Sequence, residues 1–189
     1  MYHALLMDRR YLEMLLEVDR ELAAAAKAVG CFCGGGLHRG DYERKPRGGA
    51  DGQGPEHSKR LSFCCGREGC RKRVTPASLR FLERRVYWGV VVVLGSAFEG
   101  GVTAGRVRRV RELIGYPIDR RTLERWVEWW RKGLPKSRIL KAATGLFWRK
   151  VESGRLPVSL LETVTGPDVA TRVTRVLELL SGRWMDRVM

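Results

Sequence analysis

All five cysteines of the chain stand in two short clusters, Cys31-Phe32-Cys33 and Cys64-Cys65-Gly66-Arg67-Glu68-Gly69-Cys70. Thiolate sulfur and imidazole nitrogen close a tetrahedral shell around Zn2+, and such a shell can hold together a segment too small for its own core. The two clusters therefore look like the two halves of one structural zinc site. The expected ligands are Cys31, Cys33, Cys65 and Cys70, with Cys64 and His38 in reserve. Cys65 is preferred to Cys64 because an alternating strand over 60–65 puts Leu61, Phe63 and Cys65 on one side and Arg60, Ser62 and Cys64 on the other. Gly34 and Gly66 each follow a ligand and allow the backbone to turn tightly there. The spacings C-x-C and C-x4-C differ from the more usual C-x2-C pairs. Two other uses of the cysteines stay open: burial as small hydrophobes, and a redox dithiol at Cys31/Cys33 or Cys64/Cys65. The dithiol lacks a C-x-x-C motif and a βαβ setting.

Helices are expected on both sides of this region. Over residues 2–29, Leu5, Leu12, Leu15, Leu16, Leu22 and Ala23 recur at helical spacing, with Gly30 as a stop. Between the cysteine clusters runs a basic, glycine-rich connector, residues 39–60. It reads as a mobile loop in which His57 faces solvent. Thr75-Pro76-Ala77-Ser78 has the residues of a helix start. The helix predicted after it, 77–98, turns Leu79, Leu82, Val86, Val90, Val93, Leu94 and Ala97 inward. Its valine run, 90–93, could equally make a buried strand.

Thr103 then caps a helix with Val107, Val110, Leu113 and Ile114 inward, ended by Gly115. After the turn at 116–118, Asp119 caps a second helix that buries Leu123, Trp126, Val127 and Trp130. The outer face of this second helix carries Arg121, Arg125 and Lys132, with Arg120 in its first turn. This is the pattern of a helix-turn-helix, or of an ordinary helical hairpin with a solvated basic face. Further helices are expected over 137–150, 157–164 and 168–181. Their core candidates are Leu140, Phe147, Trp148, Val169, Val173, Val176, Leu177 and Leu180.

The expected fold class is mainly α with a small zinc-ribbon β element and a helix-turn-helix bundle. The expected organisation is an N-terminal helix (1–30), a zinc ribbon with a flexible basic loop (31–76), a three-helix unit (77–133) and C-terminal packing or self-association helices (134–189).

Charge points to the partner. The net charge is +15, which suggests a polyanion: nucleic acid first, an anionic membrane surface second. Residues 1–37 carry a net of −1, whereas residues 38–85 hold 13 basic and 6 acidic residues, a net of +7. The excess thus begins at the cysteine region. The cations expected to meet nucleic acid are Arg44, Lys45 and Arg47 in the connector, Arg71, Lys72 and Arg73 beside the last cysteine, and Arg120, Arg121, Arg125 and Lys132. The chain has no Asn and a single Gln, Gln53. Direct reading of bases is therefore expected to rest on arginine to guanine, with Arg121 and Arg125 as readers and Arg120 on phosphate.

No signal peptide or membrane-length apolar run is visible, so a cytoplasmic, nucleoid-associated protein with reduced thiols is expected, without a membrane partner. No P-loop, dinucleotide motif or nucleophile elbow occurs, and no enzyme activity is expected.

The thiol region ending in C-R-x-R-x-T-P-x-S (Cys70, Arg71, Arg73, Thr75, Pro76, Ser78), followed by a helix pair with R-R-T-L-x-R-W (Arg120 to Trp126), resembles the DNA-binding front end of bacterial insertion-sequence transposases. It also resembles stand-alone accessory proteins of mobile elements. The resemblance covers about residues 31–131. It implies duplex DNA binding by the helix-turn-helix, with the ribbon as scaffold or second contact. A transposase further needs a carboxylate trio holding two metal ions. After residue 133 only Glu152, Glu162, Asp168, Glu178 and Asp186 remain, none in a strand-like setting, so the catalytic body is expected to be absent. The leading expectation is a DNA-binding accessory protein or transcriptional regulator. The alternatives are an RNA-binding zinc-ribbon protein stacking bases on Trp129, Trp88 and Tyr42, and an adaptor that recruits a transposase, a polymerase or a second copy of itself.

Overall fold

Asp8 divides the N-terminal helical region in two. The computed structural model describes residues 2–49, 53–83, 85–143 and 151–183. In it, α1 spans Tyr2–Met7 and α2 spans Arg9–Val29. Asp8 is extended between them, and its carboxylate accepts from the backbone N–H groups of Arg10 and Tyr11. An aspartate at that position satisfies the donors of a new helix better than it continues an old one. The single helix expected over 2–29 is therefore two. Tyr11, Leu12, Leu15, Leu16 and Ala23 line the buried face of α2, and Gly30 at φ +80° ends it.

The connector is more ordered than its composition suggests. Strand β1 (Leu37–Arg39) enters it and β2 (Tyr42–Glu43) follows. A single helical turn, α3 (Pro55–Ser58), then leads directly into β3 (Lys59–Arg60). β2 pairs antiparallel with β3. β4 (Phe63–Cys65) lies between β1 and β5 (Arg73–Val74) in a three-stranded antiparallel sheet. The strand expected over 60–65 is thus split at Leu61-Ser62. Its alternation is also imperfect, because Arg60 and Ser62 are buried along with Leu61, Phe63 and Cys65.

The helix expected over 77–98 shortens to α4, Gly89–Ser96. Residues 77–83 and 85–88 turn back instead, and Gly89 N–H donates to Arg80 O at 2.7 Å. The cause is a buried carboxylate on α2. Asp19 accepts from Ser78 Oγ at 2.5 Å, from Leu79 N at 2.7 Å and from Arg80 Nε at 2.8 Å. Arg80, fully buried, also donates to the carbonyls of Glu56, His57 and Lys59. A buried ion pair with every guanidinium nitrogen bonded holds three chain segments together, and a helix through Ser78 to Arg80 would forfeit it. Leu79 and Leu82 are buried as expected, but Val86 is 48% exposed. The valine run is helical and wholly inside, with every residue of α4 buried.

The next two helices follow the predicted pattern. Thr103 Oγ1 accepts from Arg106 N at the start of α5 (Ala104–Ile114), which Gly115 ends at φ +61°. α6 spans Arg120–Glu128 and buries Leu123, Trp126 and Val127. A π-helical turn, Trp129–Gly133, continues it and buries Trp130. Asp119 stands at the head of α6 with its backbone extended, but its side chain caps nothing there. α4 packs against both α5 and α6.

Beyond these come α7 (Arg138–Ala143), α8 (Val158–Thr163) and α9 (Val169–Ser181). Asp168 caps α9 through Thr171 N–H. Val173, Val176 and Leu177 are buried, while Val169 and Leu180 pack at its edge. Phe147 and Trp148 lie outside the described residues. The molecule is mainly helical with a small antiparallel sheet. One large core joins α1, α2 and α4 to α9. A second, small cluster of Ala23, Cys31, Leu37, Leu61, Phe63 and Cys65 sits under the sheet.

Candidate metal centre and nucleic-acid interface

The small cluster is where the cysteines meet. Cys31 follows the glycine stop of α2, and Gly34 N–H donates to Cys31 O at 2.7 Å, turning Cys33 back toward the sheet. The register pairs Leu37 with Cys65 and His38 with Cys64. Alternation then sends Leu37 and Cys65 to the buried side, and His38 and Cys64 to the other. The turn after β4 closes through Cys70 N–H to Arg67 O and brings Cys70 back to the same point.

The sulfurs of Cys31, Cys33, Cys65 and Cys70 consequently lie within 4.8 Å of one another. Two contacts run between the clusters, Cys31 to Cys70 at 3.8 Å and Cys33 to Cys65 at 3.5 Å. A tetrahedron of thiolates at zinc–sulfur distances of about 2.3 Å has edges of about 3.8 Å. The four sulfurs are therefore close enough to hold a metal ion of that size. The reserve candidates Cys64 and His38 are not part of the group.

Gly35 is what permits the approach. A Cβ on it would stand 2.6 Å from Cys65 Sγ, 2.7 Å from Arg67 Cβ and 3.3 Å from Cys33 Sγ. Gly34, at φ +80°, makes the turn. Gly66 serves differently from the expectation, since its backbone is not left-handed and its open side faces His38. The sequence shows three consecutive glycines, and nothing local distinguishes the middle one.

The thiols perturb one another. Cys33 is drawn down to about 6, first by the backbone N–H of Gly35 and then by the Cys70 thiol. The Arg67 backbone N–H pulls Cys65 down too, but burial and the Cys33, Cys31 and Cys70 thiols outweigh it and push Cys65 up to about 12. Cys31 is also raised: the Cys33 backbone N–H opposes this, and desolvation and the Cys33 thiol overcome it. Four sulfurs packed this closely cannot all carry charge without a cation among them, and a divalent ion removes the conflict.

The cations expected to meet nucleic acid separate into two kinds. Arg44 donates to the carbonyls of Glu83 at 3.1 Å and Arg85 at 2.7 Å. Arg73 donates to Gly40 O at 2.6 Å and Ser62 Oγ at 2.7 Å. Both guanidinium groups hold the fold. Arg120 and Lys132 make exposed i,i+4 pairs with Glu124 and Glu128, worth little in water and easily exchanged for phosphate. Lys72 lies over the Phe32 ring at 4.1 Å. Lys45, Arg71 and Arg121 are exposed and form no ion pair among the described residues.

Two cavities adjoin the turn between α5 and α6. The first, about 490 Å3, sets Arg47, Arg85 and Arg125 beside Tyr116 and Thr122, with Glu83 and Asp119 on its wall. Arg125 Nη2 donates to Thr122 Oγ1 at 3.2 Å. Arg47 and Arg125, far apart in sequence, thus line one groove. Arg71, Lys72 and Arg73 are on the thiol-bearing lobe and line neither cavity.

Three expectations are corrected. His57 is 6% exposed rather than facing solvent, because its Nε2 bonds Glu13 on α2 at 2.9 Å and its carbonyl is held by Arg80. Trp88, proposed as a stacking surface, is 4% exposed and stacks on Phe81 inside the core. Trp129 is covered by the Arg85 guanidinium at 3.9 Å. Comparison with family models, with curated proteins and with solved structures finds no match for this chain.

Proposed function

We propose that this protein binds duplex DNA through the α5–α6 pair, acting as a helix-turn-helix, and that a structural zinc ion on Cys31, Cys33, Cys65 and Cys70 holds the small sheet against α2. The observation that carries the reading is the division of α6. One face is buried as Leu123, Trp126 and Val127, while Arg120, Arg121 and Arg125 are exposed on the rest. A second helix of this kind presents its free face to the major groove, where arginine reads guanine and neutralises phosphate. The net charge of +15 supplies the long-range attraction to a polyanion. The four-sulfur donor set favours zinc or iron among common metals, and zinc is the usual choice for a closed structural shell. The zinc would serve the fold, with no bond made or broken on it.

The likeness of residues 31–131 to transposase DNA-binding regions supports duplex DNA as the polyanion and an accessory or regulatory role. Burial of Trp88 and the Arg85 guanidinium over Trp129 remove two of the three rings that favoured RNA.

The test combines metal analysis with binding. Mass spectrometry of the purified full chain is expected to give one zinc per chain. Replacement by Co2+ is expected to give the intense visible bands of a tetrahedral tetrathiolate site. Mobility shifts at equal salt are expected to favour duplex DNA over structured RNA, and Arg125→Ala is expected to weaken both affinity and sequence preference. Tighter binding to RNA, or an unchanged Arg125→Ala protein, overturns the DNA reading.

A further inference from the structure

Two large apolar side chains stand out from the thiol-bearing lobe, Val29 at 87% exposure and Phe32 at 78%. Single exposed apolar residues are ordinary. Phe32 differs in how it is held. Cys31 and Cys33, on either side of it, both send their sulfurs into the four-thiol group. The Gly34 N–H closes the turn on Cys31 O. With its two neighbours directed inward, the ring between them is left outside on a fixed backbone.

Cations gather around that ring. The Cys31 and Cys70 sulfurs lie 3.8 Å apart, which sets the turn holding Phe32 beside the turn that follows β4. Arg71 bends the chain there at φ +46°, and Lys72 Nζ stands over the Phe32 ring, 4.1 Å from its centroid. An ammonium held by the ring's quadrupole covers one face and leaves the other free. Lys27, in the last turn of α2, is exposed, as are Arg71 and Lys72, and none of the three forms an ion pair among the described residues. Arg67 is committed otherwise, donating to Cys33 O. Glu68 is the only acid in residues 27–34 and 66–72.

We propose that this tip is a second nucleic-acid site, in which Phe32 stacks on an unpaired DNA base while Lys27, Arg71 and Lys72 meet the phosphates beside it. An exposed aromatic ring set among cations is the platform on which single strands bind, because every base has a π-face and the cations follow the backbone. In a paired duplex those faces are already stacked on one another. The base must therefore come from a duplex end or an opened segment. Phe32 has no hydrogen-bonding group, so it takes any base. An anionic bilayer is the competing occupant. Its hold grows with the apolar area buried, and two side chains offer little, whereas one free ring face matches one base. The inference rests on the proposed function for its partner, but it uses no residue of α6.

Fluorescence anisotropy on the purified full chain tests it with three labelled DNAs at equal salt. They are a blunt duplex, the same duplex with a short single-stranded thymidine extension, and the same extension with its bases removed. The two extensions carry identical phosphates, so a difference between them belongs to the bases. The thymidine extension is expected to bind about 5- to 150-fold tighter than the abasic one, the range of a stacked base. Phe32→Ala is expected to erase that difference and to keep blunt-duplex binding. Phe32→Trp is expected to retain the difference. Circular dichroism and metal content check that both variants fold as the parent does. Equal binding of the two extensions overturns the proposal, as does a difference unchanged in Phe32→Ala or one lost in Phe32→Trp as well. Blunt-duplex binding without a difference between extensions overturns the tip site and leaves the proposed function standing. A difference lost in Phe32→Ala, in a protein that does not bind the blunt duplex, overturns the helix-turn-helix reading and keeps the tip site. Sedimentation with phosphatidylserine-containing vesicles that Phe32→Ala abolishes, without a thymidine preference, overturns the base in favour of a membrane.

Discussion

Gly35→Ala tests the metal centre at the point where it is most crowded. The glycine's backbone is not left-handed, so alanine adopts it without strain. The whole cost is therefore steric. The added methyl would sit 2.6 Å from Cys65 Sγ and 2.7 Å from Arg67 Cβ, about 1 Å inside ordinary van der Waals separation for each. Neither neighbour moves freely, since Cys65 is in β4 and Arg67 Cβ is anchored to the backbone of the turn. Overpacking of this kind costs about 1–3 kcal/mol. Because the displaced atom is one of the four sulfurs proposed to hold zinc, that cost is expected to fall on the metal-bound state, and zinc affinity should drop by about 5- to 150-fold. Gly36→Ala is the control, because a Cβ there meets nothing within 4 Å. Competition with a chromophoric chelator at pH 7 reads both variants. The reasoning is refuted if Gly35→Ala holds zinc as tightly as Gly36→Ala.

Three further outcomes are expected. Zinc affinity should fall steeply below pH 6, because the Cys33 thiol, drawn down to about 6 first by the Gly35 N–H, is then protonated. Binding needs thiolates and releases their protons, so the dissociation constant should rise by more than about tenfold per pH unit there, read by chelator competition across pH. Asp19→Ala leaves the Arg80 guanidinium buried without its counter-charge and strips Ser78 Oγ and Leu79 N of their acceptor. Urea denaturation should show a loss of about 3–5 kcal/mol. Arg121→Ala should lower the slope of log affinity for DNA against log salt by about 0.9, while Arg44→Ala should leave it unchanged, because the Arg44 guanidinium is committed to two carbonyls. Filter binding at several salt concentrations checks the pair.

Much of the candidate site was legible in the residues. The clustering of cysteines is a local fact, and strand alternation separates Cys65 from Cys64 without a structure, because a period of two allows only one of them on the buried side. The α5–α6 pair was equally legible. Its apolar spacing, its Thr103 cap and its Gly115 stop are all contained within a few residues. Composition likewise located the positive charge at and after the cysteine region.

What escaped the sequence depends on partners distant along the chain. Composition made the connector a mobile loop with an exposed His57, yet Glu13 and Arg80 bury that ring from two other segments. Helix-start residues at 75–78 promised a helix through 98, but Asp19 takes Ser78, Leu79 and Arg80 for a buried ion-pair network and leaves only Gly89–Ser96 helical. Gln53, remote in sequence from the helix pair, shares a pocket with Tyr116 of its turn. Periodicity, caps and cysteine spacing are short-range signals, and the sequence alone determined the features they govern. A buried carboxylate that captures three donors some sixty residues away, and a pocket assembled from a loop and a turn, have no local signature, so only the tertiary structure decided them.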